Sequence, residues 1–314
     1  MRDNLAEKTT NPYQSLSGHK EFYDHDTLNW DVEGQDWPNR DHSEFIHAGG
    51  LRWHVQKMGH GPYILLIHGT GASTHSWREL APLLATEFTV VAPDLPGHGF
   101  TNVNSSHDLS LQGMASALNS LKKEMGFSPC IVVGHSAGAA ILTRMAIDKM
   151  ICPRWLVSLN GAILPLGGLP GVIFAPLARL FALSSFGSRF FTWRAADEQV
   201  VKRLLSGTGS HIDDRGMELY MKLFRNPSHV SATLNMMANW DLHSLRKDLP
   251  FLESTLTSIV GMKDKTIPPI DAERLCRIVH KSKYYQLDEL GHLAHEEDPK
   301  AVAQIISHLV RKAE

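Results

Sequence analysis

Cysteine is scarce: Cys130, Cys152 and Cys276 are the three in 314 residues. They are too few and too scattered for a disulfide framework or a zinc site, and the pattern suits a reducing compartment. Cys130 falls in an apolar run, where cysteine serves as a small core residue. A basic excess is also missing. Lys and Arg number 31 against 33 Asp and Glu, a formal net charge of -2, so nucleic acid is excluded as the main partner. Residues 1–26 are polar and carry no apolar h-region, so no secretory signal is expected. No uncharged run reaches a comfortable membrane-spanning length without Pro or Gly, which excludes a transmembrane segment. There is no G-K-[ST] for a phosphate loop and no H-E-x-x-H for a metal. Internal repeats and low-complexity tracts are absent. The expectation is a soluble, cytoplasmic protein without cofactor or metal, with residues 1–27 as a disordered tail.

What is present is a series of buried strands alternating with helices. Residues 63–67 (YILLI), 88–92, 130–133, 154–159 and 257–260 are nearly all apolar, as strands covered on both faces must be. Helical runs follow at 73–85, 109–125, 139–150, 271–279 and 299–311. Residues 43–48 and 51–57 flank Gly49-Gly50, a hairpin signal. A further strand is expected at 284–287, and Trp30 and Trp37 mark a lead-in that docks on the domain. The sum is an α/β fold: a mostly parallel central sheet with helices on both faces. Residues 28–161 and 248–314 form that core. Residues 162–247 contain no clear strand and several helical runs, and are expected to form a helical cap over the carboxyl end of the sheet.

The chemistry centres on Gly134-His135-Ser136-Ala137-Gly138, a G-x-S-x-G between a strand and a helix. In that setting the pattern is a nucleophile elbow. A serine hydroxyl needs a base, and the base needs an orienting acid, here in the chain order Ser, Asp, His. Asp264 follows one strand and His292 the next, each beyond a carboxyl end, where ligands bind in open α/β sheets. Asp241 is a rival acid, or a helix cap. His295 is a rival base, or a support for His292. The oxyanion donors should be the amides of Ala137 and of Thr70, in His68-Gly69-Thr70-Gly71, with Gly71 as second choice. Asp94 and Gly97-His98-Gly99 suit a structural turn, and His135 a packing role. Residues 162–193 carry two charges, Arg179 and Arg189, among many aromatics. Phe174, Phe181 and Trp193 are the candidate substrate-binding residues. Such a lid suits a large flat apolar ligand with carboxylate edges, and equally a membrane surface, a protein partner or plain cap core.

The elbow, the His-Gly loop and the Ser, Asp, His order resemble the α/β-hydrolase superfamily over about residues 43–311. Longer stretches are more specific: DWPNR at 36–40, AGGLRWHVQ at 48–56, HGTGASTHSWR at 68–78 and VVAPDLPGHGFT at 90–101. These resemble the magnesium-chelatase accessory family of bacteriochlorophyll biosynthesis (BchO-type). The resemblance implies a role near Mg²⁺ insertion into protoporphyrin IX, with a tetrapyrrole as ligand and magnesium-chelatase subunits as partners. It names no reaction. An ester-cleaving serine hydrolase, a porphyrin-holding or chelatase-docking protein without catalysis, and a general carboxylesterase all remain open.

Overall fold

The computed structural model describes residues 28–103, 107–165, 192–194 and 197–311. The expected tail, and Phe174 and Phe181 of the expected cap, lie outside the described residues. Eight strands form one sheet in the order β1-β2-β4-β3-β5-β6-β7-β8. They are β1 (Ser43–Ala48), β2 (Leu51–Met58), β3 (Tyr63–Ile67), β4 (Thr89–Pro93), β5 (Ile131–His135), β6 (Trp155–Leu159), β7 (Thr255–Gly261) and β8 (Ser282–Leu287). β2 pairs antiparallel with both β1 and β4, and every other pairing is parallel.

Successive strand residues face opposite sides, so one strand feeds two cores. Leu65, Ile67, Val91 and Val132 join one buried cluster; Ile64, Leu66, Val90 and Val133 join the other. This double burial is why these strands lack polar alternation.

Helices cover both clusters. Among the described residues, the α-helices of four residues or more are, in chain order, α1 (Trp30–Glu33), α2 (Leu80–Leu84), α3 (Leu111–Glu124), α4 (Ala137–Ile147), α5 (Glu198–Ser206), α6 (Asp214–Phe224), α7 (Pro227–Ala238), α8 (Leu242–Asp248), α9 (Ile270–Ile278), α10 (Ala294–Glu297) and α11 (Pro299–Arg311). α3 buries Leu111, Met114, Ala115, Leu118 and Leu121, one helical stripe, and Ser110 caps it by accepting from the Gly113 amide. α4 is buried from Ala137 to Ala146, as befits a helix enclosed on all sides. α5 to α8 lie between β6 and β7, and Asp197, Asp213, Asn226 and Asp241 cap them in turn. Among the described residues, no helix is long and apolar enough to cross a membrane.

One expected helix is broken. Residues 73–85 form a 3₁₀ turn (Thr74–Trp77) and then α2, rather than a single helix. Pro82 lacks the N–H that would bond the Arg78 carbonyl, and its ring crowds that carbonyl. The carbonyl accepts from Asn39 Nδ2 instead, at 3.1 Å. The break leaves His75, Ser76, Trp77 and Arg78 all facing inward. The lead-in docks as expected: Trp37 is 2% exposed and donates its indole N–H to Thr74 Oγ1.

Candidate active site

β5 delivers the chain to Ser136, which adopts φ 49° and ψ −116°. A non-glycine residue there stores strain of about 1–3 kcal/mol, so the surroundings must impose it. They do so on both sides. The Ser136 amide donates to the Leu159 carbonyl at 3.0 Å, and the Ser136 carbonyl accepts from the Ala139 and Ala162 amides. A Cβ on Gly134 would lie 2.4 Å from the Ala139 nitrogen, and one on Gly138 2.2 Å from the Ile67 carbonyl oxygen. Glycine is therefore required at both positions of the motif. Ser136 alone is partly exposed between buried neighbours on either side.

Asp264 and His292 are brought together. Asp264 Oδ2 accepts from His292 Nδ1 at 2.8 Å, with both side chains buried. That bond commits Nδ1 as the donor and leaves Nε2 as the nitrogen able to take a proton. The acid is held on every side: Oδ1 accepts from the Thr266 and Ile267 amides, and Oδ2 also from Asn160 Nδ2 at 2.8 Å. The His292 turn reaches the elbow through His135, whose Nε2 bonds the His292 carbonyl at 3.0 Å. The two rings stand 4.8 Å apart.

The loop after β3 abuts the same point. A Cβ on Gly69 would sit 3.0 Å from Ser136 Cβ. His68 fixes this loop: its Nε2 accepts from the Leu95 amide and its Nδ1 bonds the Gly69 carbonyl. That pairing requires the neutral ring, and burial depresses the His68 pKa accordingly. His229 of α7 does similar work. Nδ1 accepts from the Gly99 amide and Nε2 donates to the Gly71 carbonyl, with burial holding its pKa down to about 4. Thr70 Oγ1 donates to Met236 Sδ of α7 at 3.8 Å, so the insertion touches the loop that carries the expected oxyanion amide.

The rivals lie elsewhere. Asp241 is exposed and caps α8 through the His243 amide. His295 is 1% exposed, between Trp77 and His135 rings 4.7 and 4.5 Å away. Burial, then His292 and Arg78, lower its pKa to about 3, so it stays neutral and enclosed. Asp94 is structural, accepting from the Thr74 and Phe100 amides and pairing with His54. Trp193 is 67% exposed, with the Arg194 guanidinium 5.8 Å from its ring. Among the described residues, no group of three His, Cys, Asp or Glu could hold a metal ion.

Sequence reasoning missed Asn160, the residue that steadies the acid. Asn160 has φ 45° at the end of β6. An Asn-Gly pair directly after a buried strand was the available signal. His229 left no such trace, because nothing in its helix pattern points at a loop 158 residues earlier.

Comparison with known proteins agrees with this fold. Residues 64–305 match the alpha/beta hydrolase family. The chain is 36% identical over 262 residues to the magnesium-chelatase 30 kDa subunit of Rhodobacter capsulatus, covering 83% of this chain and 91% of that protein. It is 27% identical to pyrrolizixenacetamide deacetylase of Xenorhabdus hominickii, covering 77% of this chain and 88% of that one. A putative lipase from Acinetobacter baumannii superposes with a TM-score of 0.73 at 21% identity, covering 86% of this chain and 91% of the lipase. The chain belongs to the alpha/beta hydrolase family, as a relative of the magnesium-chelatase 30 kDa subunit.

Proposed function

We propose that this protein is a serine hydrolase that serves bacteriochlorophyll synthesis as a magnesium-chelatase accessory, cleaving a carboxylic ester on a tetrapyrrole. Ser136 Oγ attacks the ester carbonyl while His292 Nε2 takes its proton. Asp264 holds the imidazole in the Nδ1–H tautomer and stabilises the imidazolium. The amides of Ala137 and Thr70 receive the developing oxyanion; loss of one such donor typically costs about 3 kcal/mol of transition-state stabilisation. The protonated His292 then protonates the leaving alcohol, and water cleaves the acyl-Ser136 ester by the same route in reverse. The helices α5 to α8 act as the cap over this site, and Trp193 contacts the flat apolar ligand; Phe174 and Phe181, the other two candidates for that contact, lie outside the described residues. Chelatase subunits are the protein partners.

The observation that carries this reading is a buried 2.8 Å Asp264–His292 bond, tied through His135 to a serine at φ 49°. The pathway assignment rests on the chelatase relative. The test is labelling by a fluorophosphonate probe. The parent should label and Ser136→Ala should not; an unlabelled parent would remove the hydrolase reading. A second reading, in which the chain holds porphyrin or docks on the chelatase without catalysis, is favoured by the relative's being called a subunit. It predicts that Ser136→Ala fully rescues a pathway mutant lacking this chain, whereas the hydrolase reading predicts no rescue.

A further inference from the structure

The insertion touches the acid and base loops at a second place. Residues 208–211, between α5 and α6, lie across both of them. The Thr208 carbonyl accepts from the Lys265 amide at 3.0 Å, one residue after Asp264. Ser210 Oγ accepts from the Leu293 amide at 2.8 Å, one residue after His292. The His211 amide donates to Glu297 Oε2 at 3.1 Å, and Glu297 Oε1 accepts from the Gly291 amide at 2.8 Å, one residue before His292.

The fit is backbone against backbone. Gly209 has φ +87°, and a Cβ there would lie 1.9 Å from the Lys263 carbonyl oxygen. A Cβ on Gly291 would lie 2.4 Å from the Gly209 carbonyl carbon, and one on Gly261 2.2 Å from the Gly291 carbonyl oxygen. Three main-chain segments therefore meet with no side chain between them. The clamp continues into α6. Asp213 Oδ1 accepts from Arg78 Nη2 at 2.8 Å; Arg78 Nη1 reaches Glu296 Oε2 at 2.5 Å, and Tyr220 Oη donates to Glu296 Oε1 at 2.8 Å. One short stretch of the insertion thus bonds Lys265 beside Asp264 and Leu293 beside His292, and packs its backbone against Lys263 and Gly291.

A loop that only joined two helices would have no reason to bond the neighbours of both catalytic candidates. Ser210 is 3% exposed, and its hydroxyl sits where it meets the His292 turn. We propose that residues 208–211 are a positioning strap, with Ser210 and Gly209 as positioning residues that set His292 against Asp264. The proposal rests on reading Asp264 and His292 as the working pair. Catalysis is steep in such geometry: a displacement of about 1 Å can cost about 10²-fold.

The test reads the pair directly as well as through activity. In proton NMR, the Asp264–His292 Nδ1–H should give a low-field resonance that is lost in Asp264→Ala. Ser210→Ala should move or broaden that resonance and slow fluorophosphonate labelling about 10-fold, while melting within a few degrees of the parent. Glu297→Gln, which keeps its size but gives up one of two accepted bonds, should do the same more weakly and serves if Ser210→Ala folds poorly. An unchanged resonance together with an unchanged labelling rate would overturn the strap. A shifted resonance in a protein whose parent is not labelled would uphold the strap and remove the hydrolase reading.

Discussion

Among the described residues are two buried histidine–aspartate pairs, alike in their bond and different in their surroundings. His54 Nδ1 meets Asp94 Oδ2 at 2.7 Å; His292 Nδ1 meets Asp264 Oδ2 at 2.8 Å. The first pair even has a serine, with Ser43 Oγ 3.0 Å from His54 Nε2. Yet Ser43 has φ −88°, an ordinary extended conformation, whereas Ser136 has φ 49°. Trp30, Phe45 and Phe100 rings all lie within 5.4 Å of the His54 ring, so the imidazole is boxed in. Asp94 spends its remaining capacity on the Thr74 and Phe100 amides, joining the lead-in side of the sheet to the loops after β3 and β4. A hydrogen-bonded Ser, His and Asp is thus a staple in one place, and a bonded His and Asp tied by His135 to the serine elbow is a candidate catalyst in the other. The difference lies in a strained, partly exposed serine beside a glycine loop and a helix start.

The same substitution at each acid should separate the two roles. Asp264→Asn is expected to slow fluorophosphonate labelling by about 10³-fold or more, because the imidazole loses its tautomer and its counter-charge. Asp94→Asn is expected to leave the chemistry in place in the protein that folds, but to destabilise it by about 3 kcal/mol, since donors facing Asp94 lose their acceptor. Labelling rates and urea midpoints on both variants check this; matching profiles would erase the distinction.

Acid titration sharpens it further. Burial holds His229 down to about 4 and His295 to about 3, against 6.5 when unfolded. Between those values the unfolded chain binds protons that the folded chain refuses. Stability present above pH 6.5 should therefore fall as pH falls toward 4, by at most roughly 3 kcal/mol for each ring. Asp94 behaves differently. Burial pushes its pKa up, but the His54 charge and hydrogen bond outweigh that and leave it at about 2. Its contribution persists above about pH 4 and is lost only on the way down to 2. Melting curves from pH 7 to 3 should show the histidine loss first. The smallest expected effect is Asp241→Ala, which removes the α8 cap: about 1 kcal/mol of stability, with the labelling rate unchanged.

Much of this was legible beforehand because buried parallel strands announce themselves. The runs at β3 to β7 are apolar on both faces, and an acid after β7 and a histidine after β8 follow from strand order. Position relative to a strand end also separates Asp264 from Asp241. What stayed hidden depends on pairing between distant segments. The Gly49-Gly50 hairpin brings Ser43 near His54, but their partner Asp94 arrives from the end of β4, which no local pattern reveals. The break at residues 73–85 turned on Pro82 and a carbonyl captured by Asn39. Nothing in the sequence around Gly209 and Ser210 points at Asp264 or His292, and their proposed role comes only from the two loops they touch.

The most direct measurement is peptide mapping by mass spectrometry after fluorophosphonate labelling of the full chain. The account predicts modification at Ser136 and none at Ser43. Modification at Ser43, or no modified serine at all, would contradict it.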